Sequence, residues 1–186
     1  AGVAQRTGAT IYYVEMCKDT GRMPVFSLSP SIGDVDILIA SELMEGGRAV
    51  TRGFVTPGRT TMITSTHRIA AVSEKVTPGD GRANSAEVLD ALKAAADHLV
   101  AFDMEAIAKQ AGSMISSSLL GALAGSGSLP FPRESYETVI KASGRGVEAS
   151  LQSFGDAYDV AQGVKEGPIF EAPVVPPALA LHVPEK

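Results

Sequence analysis

Hydrophobic and polar positions change their period along the chain. Up to about residue 72 the apolar residues fall in short, β-branched or aromatic runs. Residues 10–16 (TIYYVEM) and 24–28 (PVFSL) predict two strands joined across a turn at Gly21, an antiparallel hairpin. Residues 36–40 (DILIA) are continuously apolar, as in a strand covered on both faces. A helical stretch over 42–52, a turn at Thr56-Pro57-Gly58 and a strand over 60–64 follow, and residues 68–72 continue as a strand or extended edge. Strand, helix, strand in that order predicts a right-handed parallel crossover.

Beyond the breaker Pro78-Gly79-Asp80-Gly81 the period becomes helical. Asn84 stands where a cap belongs, with Glu87 at the reciprocal position, and Val88, Leu89, Leu92 and Ala96 form the stripe behind it. A short strand over 99–102 ends at Asp103, a plausible cap for what comes next. Residues 103–158 then carry three consecutive helical patterns. The middle one is built of small residues around Leu119, Leu120 and Leu123, and the last has a stripe at Val147, Leu151, Phe154 and Tyr158. The expected fold is α/β: a three-layer sandwich with a mostly parallel sheet, one hairpin and a helical C-terminal half. We expect one domain over 1–165. Five of the eleven prolines fall between Pro168 and Pro184, so residues 166–186 predict an extended tail or a linker.

Composition narrows the function. The 186 residues are 45% hydrophobic and 20% charged with net charge −5, which leaves no basic footprint for nucleic acid or an anionic membrane surface. No apolar run approaches the roughly 20 residues of a membrane helix. Cys17 is the single cysteine, so an internal disulfide is impossible and a reducing cytoplasm is the expected location. A cubane iron–sulfur cluster takes four thiolates, which this chain cannot supply. His67, His98 and His182 are dispersed without zinc-ligand spacing. The chain begins at Ala1, a few residues before a predicted strand, and we expect an N-terminal piece ahead of it.

Several motifs invite chemistry and fall short. Gly79-Asp80-Gly81 has the form of a thiamine diphosphate motif, but the chain's only asparagine, Asn84, stands too near to complete it, and a turn explains it. The glycines of 121–127 (GALAGSG) end a helical pattern instead of opening one, so they suit close packing better than phosphate. Ser113, Ser116, Ser117 and Ser118 lack a nucleophile elbow and a neighbouring histidine. Ser41 and Glu42 follow the carboxyl end of a predicted strand, where ligands of open α/β sheets bind; solvated carboxylates at a helix start are the plainer reading. In Gln5-Arg6-Thr7-Gly8-Ala9-Thr10 a guanidinium stands beside a glycine just before a strand, suited to an anion, a carboxylate or an acidic partner.

Taken together, GVAQRTGATIYYVE, GDVDILIASELMEGGRAVTRGFVTPGRTT, STHRIAAVSEK, AFDMEAIAKQAG, LLGALAGSGSLPF and GVEASLQSF resemble, in order and spacing, the gamma-type module of 2-oxoacid:ferredoxin oxidoreductases. The indolepyruvate ferredoxin oxidoreductase beta subunit is the most similar branch. The likeness spans about residues 1–160. Thr7 replaces the usual glycine of the family's loop, its Gly-rich first turn is absent, and Ser116 stands where many such modules carry asparagine.

The resemblance implies an oxidoreductase acting on the oxo group of indolepyruvate or another arylpyruvate, giving an acyl-CoA, carbon dioxide and reduced ferredoxin. Thiamine diphosphate, magnesium and [4Fe-4S] clusters would be held by a partner alpha subunit, with ferredoxin met indirectly. This chain would then be one member of a hetero-oligomer, with no catalytic residue and no metal of its own. Arg6, Thr7, Gly8, Thr10, Ser41 and Glu42 are expected at the interface or near substrate or CoA. The competing expectation is a non-catalytic α/β module that binds a metabolite or serves as a scaffold.

Overall fold

The computed structural model describes residues 11–69 and 84–168. Three strands, β1 (Ile37–Ala40), β2 (Thr61–Ser65) and β3 (His98–Phe102), lie side by side in that order and all run parallel. Helix α1 (Leu43–Thr51) lies between β1 and β2 in the chain, and α2 (Ser85–Ala95) between β2 and β3. Four helices follow: α3 (Met104–Gln110), α4 (Ile115–Gly125), α5 (Arg133–Ala142) and α6 (Val147–Ala161).

The twofold period of the strands sorts these helices into layers. Leu38, Ala40, Met62 and Leu99 point to one side and meet Leu43, Ala49 and Leu92 of α1 and α2. Ile37, Ile63, Val100 and Phe102 point to the other and meet α3, α4 and α6 through Met104, Ile107, Ala122 and Ala157. Met62 and Ile63, adjacent on the central strand, are both fully buried, so the sheet has a core on each face. A third cluster, Tyr136, Ile140 and Phe154, fastens α5 onto α6. The expected α/β sandwich with a helical C-terminal half is what forms.

Polar groups fix the ends of the elements. Buried Thr60 donates its hydroxyl to the Val35 carbonyl at 2.8 Å and accepts from the Thr56 amide at 2.9 Å, which sets the entry into β2. Asn84 caps α2 by accepting from the Ala86 amide at 3.0 Å. Glu87 bonds the Asn84 side-chain amide at 3.1 Å, in place of the backbone amide of a reciprocal box.

Three expectations need correction. Residues 11–28 form no strand, so the hairpin is absent there; their one tie across the turn is the Ser27 amide donating to Glu15 Oε2 at 2.7 Å. Strand propensity expresses packing against neighbours, and an isolated two-stranded ribbon is marginal without a sheet or helix beneath it. Arg68 and Ile69 are not in a strand, and 70–72 lie outside the described residues. The helical run is four helices instead of three, because Gly112 turns the chain with a left-handed φ of 68° between α3 and α4.

Candidate functional site

In a parallel sheet all three strands deliver their following residues to one rim, the place where ligands of open α/β folds bind. Here that rim gathers Ser41 and Glu42 after β1, Thr66, His67 and Arg68 after β2, and Asp103 after β3. Most of them have local work to do. Glu42 is extended and 7% exposed; its two carboxylate oxygens accept from the Met44 amide at 2.9 Å and the Glu45 amide at 2.7 Å, capping α1. Asp103 repeats the device for α3, accepting from Ala106 at 2.9 Å. The expected solvated carboxylate at Glu42 is therefore a buried cap, while Ser41 beside it is exposed.

Between the two caps sits a polar relay. Ser65 Oγ accepts from the Met104 amide at 3.0 Å and lies 2.8 Å from His67 Nδ1. Ser65 is wholly buried, and its hydroxyl proton needs an acceptor, which only an unprotonated Nδ1 supplies. That bookkeeping assigns the His67 proton to Nε2. The His67 carbonyl accepts from the Leu43 amide at 3.1 Å, and the Thr66 amide donates to Phe102 at 2.9 Å. Arg68 Nη1 donates to Ser85 Oγ at 3.2 Å, joining the rim to the first turn of α2. Ser65 and His67 have the spacing of a nucleophile and its base, yet a serine with no exposed surface cannot meet a substrate. The pair locks three elements together.

The other sequence candidates resolve as follows. Arg6, Thr7, Gly8 and Thr10 lie outside the described residues, as do Gly79, Asp80 and Gly81. Ser113 Oγ bonds Ser117 at 3.1 Å and Ser150 at 3.3 Å, and buried Ser118 donates to the Met104 carbonyl at 2.7 Å, so these serines hold helices together. Gly121 and Gly125 face α6, as expected of small residues that permit close packing.

Neither cofactor of the resembling family fits the donors described. Four thiolates are needed for a cubane cluster, and Cys17 is alone and exposed. Among the described residues no group of three or more His, Cys, Asp or Glu side chains could hold a metal ion. Asn84, the only asparagine, is engaged at the cap of α2. Nor is any helix among them long and apolar enough to cross a membrane.

Sequence reasoning missed Ser65, Arg68 and Ser85. The carboxyl-end rule, applied there to β1 alone, would have reached the first two had it been carried to the exit of β2.

Comparison with known proteins adds one finding. A family model described as Pyruvate ferredoxin/flavodoxin oxidoreductase matches residues 1–160, most of the chain. No curated protein and no solved structure matches it.

Proposed function

The chain belongs to the pyruvate ferredoxin/flavodoxin oxidoreductase family, and from that premise we propose that it is a supporting subunit or domain of a thiamine-dependent 2-oxoacid:ferredoxin oxidoreductase. Its substrate class in this reading is an arylpyruvate such as indolepyruvate. A partner alpha subunit holds thiamine diphosphate, magnesium and iron–sulfur clusters, which supply the carbanion chemistry and accept the electrons. The observation that carries the proposal is the pairing of a family match over 1–160 with a single, exposed cysteine. A stretch of a redox family that cannot itself ligate a cluster leaves that work to another subunit or domain.

Within this reading Arg6, Thr7, Gly8 and Thr10 face the partner near substrate or CoA, where a guanidinium and exposed amides suit carboxylate or phosphate oxygens. Ser41, exposed on the rim beside the Glu42 cap, faces the partner in the same reading.

Co-production with a thiamine-dependent, cluster-bearing partner tests the subunit role. Recovery of a brown complex that decarboxylates arylpyruvates with CoA is expected. If the chain recruits no such partner, the scaffold reading takes its place. Arg6→Ala should raise KM for the oxoacid or CoA with the complex intact; unchanged assembly, turnover and KM would remove Arg6 from the interface.

A further inference from the structure

The alternation of the strands decides what the carboxyl rim presents on each face. Ile37 packs on the side of α3, α4 and α6, so Ile39 and Ser41, at the same parity, turn to that side as well. On β2 the same holds for Ile63, Ser65 and His67, and Ser65 reaches the Met104 amide of α3. The two segments keep their register past the strand ends. Ala40 lies beside Thr64, and at the same offset the Leu43 amide donates to the His67 carbonyl at 3.1 Å. Ser41 therefore lies beside Ser65, with His67 the next residue on that face.

Two donors meet here without an acceptor. Ser65 keeps Nδ1 of His67 unprotonated, so the ring proton is on Nε2, and that group has no partner among the described residues. Ser41 is exposed, and its hydroxyl makes no hydrogen bond among them either. Strand spacing sets the two Cα atoms about 8 Å apart, a gap that both side chains and one carboxylate between them can span. Glu42 does not compete for these donors, because both its oxygens are spent on the α1 amides. Ile39, one step back on the same face, is 42% exposed, so an apolar floor adjoins the donors.

We propose that Ser41 and His67 form a binding site for a small organic acid with an apolar tail. Its carboxylate oxygens accept from the Ser41 hydroxyl and from His67 Nε2–H, and its tail lies over Ile39. A carboxylate only accepts, so a ring held with its proton on Nε2 suits it. Ser65 is then a positioning residue that fixes the imidazole tautomer and holds the ring at the rim. This class of acid overlaps the arylpyruvates of the proposed function but rests on the rim's own donors, so an absence of binding here would leave the subunit role standing.

The ring nitrogen and proton resonances of His67, observed by NMR in the full chain, test this without a partner subunit. The wild type should show the Nε2–H tautomer. Phenylpyruvate should shift these resonances saturably, at a concentration about tenfold below that needed for pyruvate, the effect of covering an apolar side chain. Inorganic phosphate should bind more weakly than phenylpyruvate, and chloride at equal ionic strength should shift nothing. Ser41→Ala should weaken phenylpyruvate binding by about fivefold to tenfold, one net hydrogen bond. His67→Gln, whose amide donates from nearly the same place, should keep most of the binding, and His67→Phe should abolish it; the Ile39 backbone amide reports on both. Ser65→Ala should give a mixture of His67 tautomers and weaker binding, with unchanged Met62 and Ile63 amides showing that the sheet is intact. The proposal fails if no acid moves His67 more than chloride does, or if His67→Phe binds phenylpyruvate like the wild type. Phosphate binding as tightly as phenylpyruvate would overturn the apolar acid in favour of a phosphate group.

Discussion

Residues 11–32 and residues 104–161 are both rich in large apolar side chains, and they use them in opposite ways. In the first stretch Tyr12, Val14, Met23, Val25, Leu28 and Ile32 all stand mostly or wholly in solvent. In the second, Met104, Phe154 and Ala157 are fully buried. What separates the two is the supply of small residues beside the large ones. α4 presents Gly121, Ala122 and Gly125 to α6, so the two backbones close until an added Cβ at Gly125 would lie 2.7 Å from the Tyr158 carbonyl oxygen. Along residues 11–32 such an approach is made at Ile32, which lies against Gly53, and even there the side chain stays mostly exposed. A large apolar side chain contributes only what its surroundings can cover.

The sharpest way to break the comparison is one substitution in each region. Phe154 is fully buried and stacks against Tyr136 with ring centroids 6.1 Å apart. Phe154→Ala should cost about 3–5 kcal/mol, read as a fall in the denaturant midpoint with an unchanged m-value. Phe26, half exposed, should lose less than about 0.5 kcal/mol in the same change. Equal losses would mean that residues 11–32 are packed after all.

Gly121→Ala probes the close approach itself. The new methyl would overlap the Phe154 carbonyl oxygen, which is backbone and cannot swing aside. Overpacking of this kind costs about 1–3 kcal/mol against the gain in helix propensity, so the melting temperature should fall. A rise would show that α4 and α6 can separate at little cost.

The sequence disclosed those elements whose partners are close in the chain or fixed by rule. Helix caps at Asn84 and Asp103 are local hydrogen bonds, and both were readable from residue type alone. The parallel sheet followed from the strand–helix–strand order. The hairpin over 10–28 was misread because alternation of apolar residues records what a strand could bury, not whether anything is there to bury it. The polar rim was half legible. Glu42 was found from its place after β1, but its role as a buried cap depends on how closely α1 and β2 approach, a distance the pattern does not encode. Ser65 falls just past the strand expected over 60–64 and carries no further signal, since Met104, its backbone partner, is thirty-nine residues away in the chain.

Alkaline titration sharpens the contrast from inside the packed region. Burial pushes the Tyr136 phenol above its usual value of 10.0, and its hydroxyl has no hydrogen-bond partner among the described residues. As pH climbs past about 10, the unfolded chain releases this proton first, so the unfolded state gains. The stability this group contributes is whole below that value and lost as pH rises through the higher folded one. Tyr136→Phe should therefore flatten the alkaline limb of stability against pH. At neutral pH it should gain about 1 kcal/mol by removing an unpaired buried hydroxyl. A loss at neutral pH would place a partner, such as a bound water, on that oxygen.

The smallest effect on stability is expected where the apolar residues are barest. Val25 and Leu28 are fully exposed, so Val25→Ser combined with Leu28→Ser removes no buried area from the chain on its own. Its unfolding free energy should stay within about 0.5 kcal/mol of the parent, with a gain in solubility. Under the proposed function, the partner subunit is what would cover this exposed apolar surface. The same double variant should then weaken co-purification of the cluster-bearing subunit, even though it melts like the parent. A variant that assembles as well as the parent would separate these side chains from the interface and leave Arg6 and its neighbours to carry it. One that unfolds early would show that residues 11–32 already support the domain, and the contrast with the helical half would be lost.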